Sequence, residues 1–291
     1  MEWILFALGA ALGVAGTDTL TKHHLSGCPP ALALLVRTFF PALALSPLLL
    51  VTAAPRLDLS FWLWLGAAVP LELLAEFLYI RALRSSPLAL SVPYLAFSPV
   101  FLAVTGFLLL GEAVSPRGFA GILLVAAGAY YLNLDRAMLR RPRGWLEPLA
   151  AIARQSGARS MLGVALVYSV TAALAKGTLL KAHSLAATTI YFWAVGSASA
   201  VALSLREPGI LRRAFANFAV HARIGLVSAF SILCTFLAFA HAEAAYAVAV
   251  KRTSILFSIL LGAWLFREQR FPHHFAAGLV MLGGVALMVV R

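Results

Sequence analysis

Leu110-Gly111-Glu112, followed by Pro116, Phe119 and Gly128, returns near the other end of the chain as Phe266-Arg267-Glu268, followed at the same offset by Pro272, Phe275 and Gly284. A chain that restates itself in this way is built twice from one unit. At a slightly different offset, Leu20-Thr21-Lys22 with His24 falls on Leu179-Leu180-Lys181 with His183. On either side of these landmarks lie apolar stretches near the roughly 20 residues that a helix needs to cross a bilayer core. Ten such spans are read between charge and turn signals, at 3–20, 31–51, 61–80, 88–110, 115–134, 161–180, 185–205, 223–242, 245–266 and 272–290. They do not alternate apolar and polar residues, which sets a membrane barrel aside. The expected fold is therefore all-α: a polytopic membrane protein of ten transmembrane helices in two five-helix repeats. Because five is odd, the second repeat enters the membrane in the opposite sense, an arrangement in which one bundle rocks against the other around a central site.

Composition agrees. Of 291 residues, 62% are hydrophobic and only 12% charged, which excludes a soluble domain. The formal charge of +12 is assigned to loops and orientation rather than to nucleic acid. Two cysteines, Cys28 and Cys234, provide neither a disulfide framework nor a CxxC site. The first span lacks a basic leader and a small-residue cleavage site, so it reads as a retained helix. The one long polar connection, 135–160, carries six arginines and separates a first repeat, 1–134, from a second, 161–291. Within it, 144–152 reads either as a helix lying along the headgroups or as a plain linker. Loops after odd-numbered spans hold about twice the Lys and Arg of the other side, which would place both termini away from the cytoplasm.

Charges inside a bilayer cost several kcal/mol and mark cavities, partners or interfaces. Lys251 and Arg252 interrupt the ninth span, and Lys251 shares a helical face with Ser254 and Ser258. A guanidinium offers a planar fork to carboxylate or phosphate, and an ammonium adds a movable point charge, so the pair suits an anion; snorkelling to the surface is the competing reading. Glu72 and Glu76 lie four apart in the third span, with Tyr79 extending their face. Either one of them carries a proton, which suits proton coupling, or a cation such as Arg37, Lys176 or Lys251 lies between them. Lys176, with Tyr168 and Thr171 nearby in sequence, is a second anion ligand or an interfacial anchor. Arg37 gates the cavity by pairing with Glu72 or Glu76, or else snorkels. Asp18 and Lys22 stand at i and i+4 in the order that favours a local ion pair. Glu112 and Glu268 recur before short turns and read as structural carboxylates near helix starts. Pro93 and Pro99 interrupt the fourth span beside Tyr94 and Phe97, freeing backbone groups next to a cavity.

His23-His24 and His273-His274 are adjacent pairs rather than HxxxH, and no phosphate loop, GxSxG elbow or HExxH is present, so no metal, no cofactor and no enzyme are expected.

Ser98-Pro99-Val100-Phe101, Leu109-Leu110-Gly111-Glu112, Gly118, Gly121 and Gly128, with Pro29-Pro30 and Leu35-Val36-Arg37 before them, resemble the signature of the EamA-like family of the drug/metabolite transporter superfamily. The second half repeats the pattern, so the resemblance covers the whole chain. It implies a secondary transporter of metabolites, amino acids, sugar phosphates or drugs, with both termini in the cytoplasm, against the charge count above. Where the first half reads Tyr94-Leu95-Ala96-Phe97-Ser98-Pro99, the second reads Val250-Lys251-Arg252-Thr253-Ser254-Ile255. That departure is similar to the Lys-Arg pair with which plastid sugar-phosphate translocators hold phosphate. The expected function is alternating-access transport of a small anionic or zwitterionic metabolite in the bacterial inner membrane, coupled to protons or to a counter-exchanged anion, by a monomer or homodimer. Lys251, Arg252, Lys176, Tyr94 and Ser254 would bind the substrate, and Glu72, Glu76 and Arg37 would couple or gate. An exporter of amines or hydrophobic drugs, with Glu72 and Glu76 as ligands, and a non-transporting scaffold are the alternatives.

Overall fold

The computed structural model describes residues 2–52, 55, 57–85, 92–132, 144–146, 156–182, 185–258 and 271–289. All regular structure among them is helical. In chain order the helices are α1 (Glu2–Leu25), α2 (Pro30–Leu45), α3 (Leu48–Val51) and α4 (Leu59–Ser85), then a 3₁₀ turn (Val92–Phe97), α5 (Ser98–Leu110) and α6 (Pro116–Leu132). After a second 3₁₀ turn (Gly144–Leu146) come α7 (Ser156–Ala182), α8 (Leu185–Arg206), the short α9 (Ile210–Ala216), α10 (Phe218–His241), α11 (Ala244–Lys251) and α12 (Phe271–Val289).

Six helical stretches among the described residues are long and apolar enough to cross a membrane: Glu2–Leu25, Pro30–Val51, Leu59–Tyr79, Arg159–Ala182, Leu185–Arg206 and Phe218–His241. This overturns the expected ten spans in two inverted five-helix repeats; the fold is an all-α polytopic one with six candidate spans among the described residues. The reasons are local. Pro99 lacks the N–H that would continue a helix backwards, so the expected fourth span becomes a 3₁₀ turn leading into α5. The 13 residues of α5 rise only about 20 Å, against a hydrocarbon core of about 30 Å. The 17 residues of α6 rise about 26 Å, and this helix is not among the stretches long and apolar enough to cross. The expected ninth span stops at Lys251, where the Arg252 N–H turns back onto the Val248 and Ala249 carbonyls, and helix resumes at 254–258. At the far end, Ala277–Val289 is the apolar stretch described. The rest of the ninth span, Glu268, His183, the side chains of His273, His274 and Pro93, and most of the connection 135–160 lie outside the described residues. The second repeat's first helix starts at Ser156, ahead of the expected boundary.

Helices of the first half pack on helices of the second: α1 on α10, α2 on α8 and α10, α4 on α7, and α6 on α12. Small residues make these approaches close. A Cβ on Gly121 would sit 2.6 Å from the Gly284 carbonyl oxygen, and one on Gly284 the same distance from that of Gly121. Polar side chains bond across the seams, Ser231 Oγ to the Ala10 carbonyl at 2.8 Å and Thr38 to Ser199 at 2.6 Å. Outward, the surface is apolar, with Leu50 88% and Leu205 81% exposed, as a lipid solvent permits. The protein is an integral membrane protein.

Candidate functional site

Between the two sets of helices lies a cavity of about 350 Å³ whose wall holds three acids, Asp18, Glu72 and Glu76, and three bases, Arg37, Lys251 and Arg252. Each arrives for a topological reason. Asp18 comes from α1, Arg37 from α2, and Glu72 and Glu76 from consecutive turns of α4. Lys251 and Arg252 sit where α11 ends. Both line the cavity, Lys251 as the last helical residue and Arg252 as the cap that follows it. Tyr79, Tyr168 and Tyr191 supply hydroxyls and ring faces, and Phe236 and Phe239 close the apolar side.

The partners inside the cavity differ from those expected. Arg37 donates to Asp18 Oδ1 at 2.7 Å and to Thr21 Oγ1 at 3.4 Å, so its ion pair runs to α1 rather than to Glu72 or Glu76. The reason is distance: α1 and α2 are joined by a tight turn, which brings Asp18 within reach, whereas Glu76 influences Arg37 only through space. This pair is open to the cavity, with side chains 38% and 48% exposed. Tyr168 donates to Glu76 Oε1 at 2.8 Å, and Thr171 stands beside Glu72. Arg252 gives both Nε, at 3.1 Å, and Nη2, at 2.5 Å, to the Ser98 hydroxyl at the start of α5. Lys251 has no hydrogen bond or ion pair among the described residues, although Glu72 lies close enough to act on it. Ser254 is 6% exposed and completes the wall beside the pair.

Two expected residues lie elsewhere. Lys176 is 5% exposed, pairs with Glu112, and donates to the Ala242 carbonyl at 2.5 Å. Glu112 also accepts the Ala244 N–H at 2.8 Å, the first donor of α11. This cluster joins the end of α5 to α7 and to the start of α11, and it stands outside the cavity wall. Tyr94 is fully buried against Met161 and Val164 and is absent from the wall.

Ser98, Tyr168, Thr171, Tyr191 and Asp18 were not singled out as site residues from sequence. Ser98 had a signal, since it occupies the first-half position equivalent to Ser254. Tyr168 and Thr171 stand out in the sequence only as neighbours of Lys176. Tyr191 had no signal, being one aromatic among many in an apolar helix.

Among the described residues no group of His, Cys, Asp and Glu could hold a metal, and both cysteines are free. The chain is 30% identical over 137 residues to the uncharacterized transporter YwfM of Bacillus subtilis (strain 168). That stretch covers 45% of this chain and 45% of the relative, so the match spans about half the length of the relative. A solved crystal structure superposes with a TM-score of 0.74 over 100% of this chain and 99% of its own, at 18% identity, a likeness of fold. The family model of EamA-like transporters matches residues 1–134 and 155–290. Nearly the whole chain is thus accounted for by one family, and the protein belongs to the EamA-like transporter family of the drug/metabolite transporter superfamily.

Proposed function

We propose that the protein is a secondary active transporter of a small anionic or zwitterionic metabolite, which occupies the central cavity and crosses by alternating access. The observation that carries this reading is Lys251. Its ammonium lines the cavity with no partner among the described residues, next to an Arg252 whose Nη1 group is likewise uncommitted. A half-buried cation with Glu72 nearby but no bonded partner gains a direct, charge-assisted one when a substrate carboxylate or phosphate binds. Arg252, anchored on Ser98, supplies a fixed fork, while Lys251 supplies the adjustable charge. Glu72, beside Lys251, neutralises the empty site or carries the coupling proton. Arg37 and Asp18 form the side of the cavity that opens and closes. The Lys-Arg pair, read from sequence alone as similar to that of plastid sugar-phosphate translocators, makes phosphate esters the first class to try, and the Bacillus relative supports a bacterial inner-membrane location.

A second reading is export of organic amines, favoured by the presence of Glu72 and Glu76 in the same wall. The test is thermal stability of the solubilised protein against sugar phosphates, carboxylates, amino acids and amines, followed by uptake in reconstituted vesicles. A ligand at a hundredfold excess over its Kd stabilises the folded state by about 2.7 kcal/mol. Stabilisation by anions that is lost in Lys251→Ala/Arg252→Ala is the expected result. Stabilisation by amines that survives there and is lost in Glu72→Gln/Glu76→Gln selects the second reading.

A further inference from the structure

A second and larger cavity, about 640 Å³, lies on the outer side of the same helices, between α2, α4 and α8. It is independent of the transport reading. The groove runs along α8 from Ser199 to Arg206, seven residues or roughly 10 Å, about two thirds of the depth of one leaflet's hydrocarbon region. All three walls belong to candidate membrane spans. Its inner end is polar only in name, because the Ser199 hydroxyl is already engaged with Thr38 and the Gly196 carbonyl. The sides are Leu34, Leu73, Leu74, Phe77 and Leu203, and Leu74 and Phe77 are 43% and 47% exposed.

The mouth is different. Arg206, the last residue of its span, lies over the Phe77 ring at 5.7 Å and has no ion-pair partner among the described residues. The acid beside it, Glu207, is paired with Arg213 at 3.7 Å. Arg212 and Arg213 follow on α9, which buries Ile210 and Ala214 and exposes Leu211 and Phe215. Exposed apolar and cationic side chains on one short helix mark the boundary between hydrocarbon and headgroups. An apolar slot reaching about two thirds of the way through one leaflet, and ending in a guanidinium with no ion-pair partner among the described residues, fits a tail and a phosphate joined in one molecule.

We propose that this groove is a binding site for a phospholipid, one acyl chain lying between α2, α4 and α8 and the phosphate held by Arg206. The tail fills space that neighbouring helices leave open, and Phe77 holds the guanidinium across the entrance. The bound lipid would then wedge α2 from α4, the two helices that carry Arg37 and Glu72 on their inner faces.

The test uses delipidated full-length protein titrated with dioleoylphosphatidylglycerol, with bound lipid counted by native mass spectrometry. One saturable lipid per chain is expected. Arg206→Ala should weaken it at least tenfold, as should Ala202→Trp, which fills the groove from an exposed position on α8, while Lys251→Ala should leave it unchanged. Leu74→Trp replaces Ala202→Trp should the latter not elute as folded protein. Binding that is absent, or equal in wild type and in both groove variants, overturns the proposal. So does equally tight binding of dioleoylglycerol, which lacks the phosphate, or full competition by glycerol phosphate, which lacks the chains.

Discussion

Lys176 shows how one buried charge can serve structure in the middle of a transport bundle. Its ammonium is held by Glu112 and by the Ala242 carbonyl, and Glu112 in turn receives the first N–H of α11. Removing one member leaves the other charged and dry, so Lys176→Met should lower stability by about 3 kcal/mol or more, read as a fall in Tm. Lys176→Met/Glu112→Gln should recover part of that loss, because no uncompensated charge remains. If Lys176 were instead a substrate ligand, the single variant would keep its Tm and lose binding. At the start of α4, Asp58 accepts the Phe61 N–H and the Ser60 hydroxyl, both at 2.9 Å, which holds its carboxyl below its ordinary value of 3.8. A depressed carboxylate stabilises the fold above its unfolded pKa and ceases to do so as pH falls through the folded one. Asp58→Asn should therefore lower Tm slightly at pH 7, and the difference should vanish as pH drops below that range.

Among the elements, the seam between α6 and α12 depends on two glycines facing each other. Each would push a Cβ to 2.6 Å from the other's carbonyl oxygen. Gly121→Ala forces these helices apart and should cost about 1–3 kcal/mol, seen as a lower Tm with unchanged helical content by circular dichroism. The termination of α11 at Lys251 matters in the opposite way, since it is a break rather than a contact. The two cations that line the cavity sit where the helix stops, and it resumes at 254–258. The Lys-Arg dipeptide was visible as an interruption of an apolar run. What it does to the helix was not, because a continuous span and a broken one have the same composition. The same holds for α5, shortened behind Pro99 into the 3₁₀ turn, and this is where the expected count of spans failed.

For the whole molecule, the alternating access proposed above requires the central cavity to exchange between faces. Val14 lines that cavity from α1 and is half-buried, whereas Ala10 and Ala11 on the same helix are buried. In a Cys28→Ser/Cys234→Ser background, Val14→Cys should react with a small membrane-impermeant thiol reagent from one side of sealed vesicles, and Ala11→Cys from neither. An anion that proves to be a substrate should slow the reaction by occupying or closing the cavity. Labelling that ignores every ligand which raises Tm would separate the cavity from the binding site.

By itself the sequence determined the solvent and the family. A hydropathic, sparsely charged, internally repeating chain has to bury its backbone in helices within lipid, and Ser98-Pro99 and Leu109-Leu110-Gly111-Glu112 carry a recognisable pattern. It also exposed the charges that a bilayer penalises, and Lys251, Arg252, Ser254, Glu72, Glu76 and Arg37 all stand around one cavity. Only the tertiary structure decided their partners. Arg37 turns to Asp18, Arg252 to Ser98, and Lys176 to Glu112. Which acid meets which base depends on helix crossings and on where helices end, set by glycine contacts and proline breaks between segments far apart in the chain. Local composition and periodicity hold no record of those distances.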